Sequence, residues 1–245
     1  MKNKFFLTTV VSLLFVIQIQ GQDQNRVNVN FGDTLNNVLS MGFQYLYPEF
    51  TRGTVHFSTN ERSSAFLNYN ILLNEIHFMN LADIKDKNFE SEADFLNYAQ
   101  SLDLRDVSHI TIKGDNFINT NRGIMYLVAD DEVKLLRNDI IKMSGQSNIG
   151  AYGMQSQTSS VERRSSSPSE RARRGEEFTQ EIITEYSRET QFYLSSDNRI
   201  RRATQRGFER TFRSKRDSIR QFIRENDIDF KNEEDLIRLL KYCLD

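Results

Sequence analysis

The chain predicts an α+β fold: an antiparallel β-meander, a C-terminal helical unit and a disordered Ser/Arg-rich insertion between them. Three observations carry this. Apolar residues recur at every second position from Gly42 to Met79 and again from Val107 to Leu136, the period at which strand side chains share a face. The last third ends in segments with helix-start chemistry and three-to-four spacing of Ile and Leu. Between these parts, Ser144 to Glu177 is rich in Ser, Gly, Gln and Arg and poor in large apolar residues. It cannot bury enough surface to offset its ordering entropy.

Taken in order, Met1 to Gly21 reads as a secretory signal. Lys2 and Lys4 precede a short apolar run from Phe5 to Ile17, and Gly21 is a small residue at the cleavage point. The run is shorter than the ~20 residues of a spanning helix. No cysteine follows it to take a lipid, so the expectation is a periplasmic or secreted protein that is not a lipoprotein, with no transmembrane segment after cleavage. Residues 22–41 form a polar lead-in, with Leu35, Val38 and Leu39 at the spacing of a short helix. The β-rich domain is 42–143. Its first expected pair is Phe43–Tyr47 with Gly53–Phe57, turning through Pro48 and Arg52-Gly53. Its second is Ala65–Tyr69 with Glu75–Phe78. A charged stretch follows, in which Ser91-Glu92-Ala93-Asp94 has the capping chemistry of a helix start. Strands resume at Val107–Ile112, Asn116–Ile118, Gly123–Val128 and Glu132–Leu136, with turns at Lys113-Gly114-Asp115 and Ala129-Asp130-Asp131.

The segment 144–177 reads as a linker or loop, with Arg163-Arg164 and Arg173-Arg174 as expected cleavage sites for proteases. Residues 178–245 return to order. Ile182–Tyr186 and Thr190–Leu194 read as strands, which either extend the first sheet or stand apart from it. Arg199–Ala203 follows a turn at Ser196-Asp197-Asn198. Ser214 then starts a helix with Ile219, Phe222 and Ile223 on one face, and Asn232 starts another with Leu236, Leu239, Leu240 and Cys243 inward.

Composition narrows the function. There are 32 basic and 34 acidic residues and a net charge of −2, which loss of Lys2 and Lys4 makes more negative. Overall charge therefore names no partner. Cys243 is the only cysteine, so the fold rests on its core and not on disulfides. The chain has no GxSxG, Walker A or GxGxxG motif and no HExxH. No catalytic residue, metal ligand or cofactor is assigned.

Three features remain as candidate chemistry. His56, His77 and His109 all fall out of phase with the apolar row, so they share the other face of the sheet, where Glu75 is in phase with His77. Such a set can hold zinc, and a metal-dependent hydrolase built on it is one alternative reading. The stretch Arg199 to Arg224 holds ten basic residues against Glu209 and Asp217. Arg202, Arg206, Arg213, Arg216, Arg220 and Arg224 are the candidate partner- or anion-binding residues, since guanidinium suits carboxylate and phosphate. The competing reading is a solvated face neutralised by the acidic stretch Asp227 to Asp235. Third, Tyr45, Tyr47 and Tyr69 are either core or the lining of a sugar or peptide groove; the lack of Trp favours core.

Phe50-Thr51-Arg52-Gly53-Thr54-Val55-His56-Phe57, Leu67-Asn68-Tyr69-Asn70-Ile71-Leu72 and Glu75-Ile76-His77-Phe78 resemble a group of exported Bacteroidetes proteins of unassigned activity. The tail, from Phe208 and Phe212 through Ile219-Arg220-Gln221-Phe222-Ile223 to Glu233-Glu234-Asp235-Leu236, resembles the same group. The resemblance implies the envelope of a two-membrane bacterium and transfers no functional residue. The leading expectation is a non-catalytic binding or assembly component of the cell envelope, docking an envelope protein or anionic component through the basic C-terminal region. A binder of lipopolysaccharide or, less fitting for an exported chain, nucleic acid is the remaining alternative.

Overall fold

A computed structural model describes residues 24–84, 87, 91–149, 155–156, 167–179, 181–197 and 199–245. Residues 1–23, which include the segment expected to be a secretory signal, and the Arg163-Arg164 pair lie outside the described residues.

The described chain is one large antiparallel sheet with helices. In order it runs β1 (Gln24–Val29), α1 (Leu35–Val38), α2 (Met41–Gln44), β2 (Thr51–Phe57), β3 (Arg62–Asn70), β4 (Glu75–Met79), α3 (Leu81–Ile84) and α4 (Glu92–Leu96). Then come β5 (Gln100–Ser101), β6 (Val107–Ile112), β7 (Asp115–Thr120), β8 (Gly123–Ala129), β9 (Lys134–Ile149), β10 (Gln155–Ser156) and α5 (Pro168–Arg174). It ends with β11 (Ile182–Ser196), β12 (Arg199–Arg202), α6 (Gln205–Thr211), α7 (Arg216–Asn226) and α8 (Glu233–Leu244). The strand order is β1-β11-β9-β8-β7-β6-β2-β3-β4-β5, with β10 on β9 and β12 on β11. The expected meander is therefore present, and β11 joins it directly through β9. Lys113 and Gly114 both have positive φ, as the two-residue hairpin between β6 and β7 demands.

Four local expectations are corrected. Phe43–Tyr47 is not a strand: Met41–Gln44 coils into a helical turn, and only Tyr45 makes a bridge, to Asn70. The carbonyls of Gly42, Phe43 and Tyr45 accept from the Arg188 guanidinium, so this backbone is satisfied without a neighbouring strand. Its alternating Phe43, Tyr45 and Tyr47 are nevertheless all buried. Gly53 is not a turn but lies inside β2, where a Cβ would stand 2.7 Å from the Thr111 carbonyl oxygen. The lead-in contributes β1, paired to β11. The insertion is ordered at both ends: β9 runs on to Ile149 against β11, and α5 starts at a capping box of Ser167 and Glu170. Arg173-Arg174 thus lie on a helix and not in an open loop.

The helical tail differs in detail. Its first helix, α6, was not expected and is capped by the Thr204 hydroxyl, which accepts from the Gly207 N–H. The residue before α7 is Lys215, which gives no side-chain cap, so Ser214 does not start that helix. Asn232 caps α8 as expected, accepting from the Asp235 N–H.

Two large apolar cores share the β9–β11 ribbon, with a small cluster of Met125, Leu136 and Tyr193 beside them. Ile141, Ile182 and Tyr186 belong to a core that also holds Val29 of β1 and Ile76 of β4, so strands from opposite flanks of the sheet meet around it. Sheets of about ten strands curl in this way to close off their inner face. Leu135, Phe192 and Leu194 belong to a second core with Phe208, Ile219, Leu236, Leu239 and Leu240. Between the two, the register sets Thr190 opposite Asp139 and Phe192 opposite Arg137. Asp139 accepts from the Thr190 hydroxyl, and Arg137 pairs with Asp139 at 3.5 Å and with Glu233 of α8 at 3.1 Å. A polar belt therefore separates the cores and ties the helical unit to the sheet.

Candidate functional site

The basic face is built on α6, the 3-10 turn Arg213–Lys215 and α7. The apolar side of α7 is buried through Ile219, and Phe222 stacks on Tyr242 of α8 with ring centroids 4.1 Å apart. This fixes the opposite side outward. Arg216, Arg220 and Arg224 follow one another at i, i+4 and i+8 and are all exposed. Arg206 and Arg210 are exposed one turn apart on α6, and Arg213 is exposed on the connection. Arg220 joins the two helices: its Nε donates to Glu209 at 2.8 Å and its Nη2 at 3.2 Å. Its guanidinium holds the Glu209 carboxyl below the usual carboxylate range.

The acids of the Asp227–Asp235 stretch that form ion pairs, Glu233 and Asp235, do not pair with this face. Glu233 pairs with Arg137, and Asp235 pairs with Arg238 on its own helix. Among the described residues no salt bridge joins Arg206, Arg210, Arg213, Arg216 or Arg224 to a carboxylate. Arg202 stands apart from the stripe. It ends β12, and its guanidinium lies over the Tyr193 ring, 5.5 Å from the centroid. Five of the six candidate arginines are thus brought onto one helical surface and the sixth belongs to the sheet.

The histidines divide. His56 of β2 and His109 of β6 are directly opposite, with rings 3.9 Å apart and nearly parallel. Burial, then His109 and Arg62, push the His56 imidazole below its usual value. His77 is elsewhere. Along β3, His56 pairs with Arg62 and His77 with Asn68, a separation of about 20 Å at the rise of a strand. The three therefore do not form one site.

His77 instead closes a relay that sequence reasoning missed. Its Nδ1 accepts from the Tyr45 hydroxyl at 2.7 Å, and its Nε2 donates to Glu75 at 3.3 Å. Burial raises the Tyr45 phenol to about 12. The His77 hydrogen bond, chiefly, holds the Glu75 carboxyl down, and Ser101 and Arg173 add to it. Tyr47 and Tyr69 are core, with hydroxyls donating to Asp115 at 2.6 Å and Asn138 at 3.5 Å. A groove lined by Tyr45, Tyr47 and Tyr69 is thereby ruled out. The sequence signal for the relay is Glu75 in phase with His77; Tyr45 stands in a segment whose alternation points to a strand that it does not form.

One polar cavity of about 350 Å³ lies between Asn74, Arg122, Asn138, Asp139, Ser169 and Arg173. Among the described residues no cluster of three or more His, Cys, Asp and Glu side chains stands ready for a metal ion, and no helix is long and apolar enough to cross a membrane. Comparison with models of protein families, with curated proteins and with solved structures finds no match to this chain.

Proposed function

We propose that the protein is a non-catalytic binding or assembly component of a bacterial cell envelope, and that it docks an acidic partner protein through the α6–α7 face. The observation that carries this reading is the exposed stripe of Arg206, Arg210, Arg213, Arg216 and Arg224 without salt bridges among the described residues, while Glu209 and Asp217 pair with Arg220, Glu233 with Arg137 and Asp235 with Arg238. Guanidinium groups match carboxylates bidentately. Export by the N-terminal segment and the group resemblance supply the compartment.

The test is quantitative binding to a partner recovered from native envelopes, before and after Arg216→Glu with Arg224→Glu. Arg220 is left intact because it holds α6 to α7. Affinity is expected to fall tenfold or more, about 1.4 kcal/mol, and to fall with salt in the parent chain. Unchanged affinity removes the face from the interface. Equal binding to phosphate polymers of any sequence would instead mark a general anion binder.

A further inference from the structure

We propose that His56 and His109 form a two-imidazole site for a divalent transition-metal cation of the Zn²⁺ or Cu²⁺ class, on the outer face of β2 and β6. The register sets the two residues directly opposite, on adjacent antiparallel strands. Both rings are half-exposed and stacked at 3.9 Å with an interplanar angle of 12°. Stacked rings hold their lone pairs in parallel planes, so binding requires the two side chains to tilt out of the stack until both nitrogens converge on the 2.0–2.1 Å bonds that zinc makes with imidazole. The strands are held on both sides, by β3 and by β7, so the separation of the two residues is fixed.

Hydrogen-bond accounting assigns the free lone pairs. A hydroxyl has one hydrogen to give. The Ser108 hydroxyl gives its hydrogen to the His56 carbonyl oxygen at 3.0 Å. At the His109 Nδ1, 3.1 Å away, the same oxygen is therefore the acceptor. His109 carries its proton on Nδ1 and leaves Nε2 as a lone pair. The Thr111 hydroxyl gives its hydrogen to Asn116 Oδ1 at 2.8 Å. At the His56 Nε2, 3.4 Å away, it accepts, so His56 carries its proton on Nε2 and leaves Nδ1 free. Each ring thus donates one N–H to an oxygen and keeps the other nitrogen for a ligand. Metal-binding imidazoles are oriented in the same way by a partner behind the ring.

Imidazole selects zinc, copper and nickel over magnesium and calcium. Two protein ligands leave the remaining positions to water or to a donor from outside the chain. Arg62, opposite His56 on β3, faces the same side and weakens the attraction for a cation. Glu75 and His77 take no part, because they lie on β4, beside a distant part of β3, in their own relay.

The test uses the untagged chain, stripped with chelator, titrated with Zn²⁺ by calorimetry and with Cu²⁺ by electron paramagnetic resonance. One saturable equivalent is expected, with nitrogen hyperfine structure on copper. It should be lost in His56→Gln and in His109→Gln and kept in His77→Gln and in the Arg216→Glu, Arg224→Glu chain. Gln retains a polar side chain on the sheet face, and circular dichroism checks that each variant is folded. Absence of saturable binding, binding that survives either Gln substitution, or binding lost in His77→Gln would each overturn the assignment.

Discussion

At the scale of single residues, positions with unusual backbone or buried polar contacts have the narrowest tolerance. Gly123 opens β8 with φ of +97°, and a Cβ there would overlap the Asn74 side chain. Asn74 itself accepts from the Ile124 N–H at 2.8 Å and donates to the Tyr69 hydroxyl at 2.8 Å. Gly123→Ala is expected to cost about 2 kcal/mol, from backbone strain and the displaced amide. Its urea midpoint should fall, and an unchanged midpoint would mean that Asn74 moves aside freely. Glu75 makes a pH prediction. Its carboxyl is held below the usual value in the folded chain, chiefly by His77. The stability it contributes is present above the ordinary carboxylate pKa and is lost as pH falls through the folded value. Glu75→Gln should therefore be less stable at neutral pH and show a shallower loss between about pH 5 and pH 3. Parallel acid limbs in the two chains would contradict this. Of these contacts, the sequence carried only residue types and strand phase; Asn74 and Ile124 come from segments 50 residues apart, and the local pairs depend on how the strands fold.

At the scale of elements, local chemistry and tertiary demand agree in most places and conflict in a few. The capping residues at Ser167, Thr204 and Asn232 each accept a backbone N–H three residues on. Alternation was a sound guide for β6, where Ile110 and Ile112 are buried between half-exposed neighbours, and it located β3, β4 and β8, parts of which are buried on both faces. It misled at Phe43–Tyr47, because a buried turn can satisfy the same period by other means. The decisive group there is Arg188, from a strand far along the chain. Helix α8 shows what the second core contributes. Leu236, Leu239, Leu240 and Cys243 are buried, and Leu239 lies in one core with Leu135 and Leu194 of the ribbon. Burial raises the Cys243 thiol to about 12, so it is an inert filler. Leu239→Ala should cost about 2–5 kcal/mol. Amide exchange should quicken at Leu135 and Leu194 as well as in α8. Quickening confined to α8 would show that the ribbon stands without it.

At the scale of the molecule, the β9–β11 ribbon joins everything. One end carries the sheet core, the other carries the helical core, and the Arg137–Asp139–Thr190 belt lies between. A guanidinium in this belt, paired with Glu233, fixes α8 against the sheet; a charge pair of this kind specifies orientation more than it stabilises. The consequence is functional. The basic face stays outward because the opposite side of α7 is committed to that core, and the two stacked histidines lie on a separate surface of β2 and β6.

By itself the sequence determined the α+β class, the meander-like sheet, the outward phase of His56 and His109 but not of the buried His77, and the concentration of arginines in the tail. These follow from local periods and from turn and cap residues, which act over a few positions. Only the tertiary structure decided that β1 and β11 enter the same sheet, that α6 and α5 are helices, and that Phe43–Tyr47 is a turn. It alone decided that His109 meets His56 while His77 meets Tyr45, and that Glu233 and Asp235 turn to Arg137 and Arg238 and not to the α6–α7 arginines. The reason is that strand register and side-chain pairing are set by contacts between distant segments, and phase along one strand does not specify which strand lies beside it.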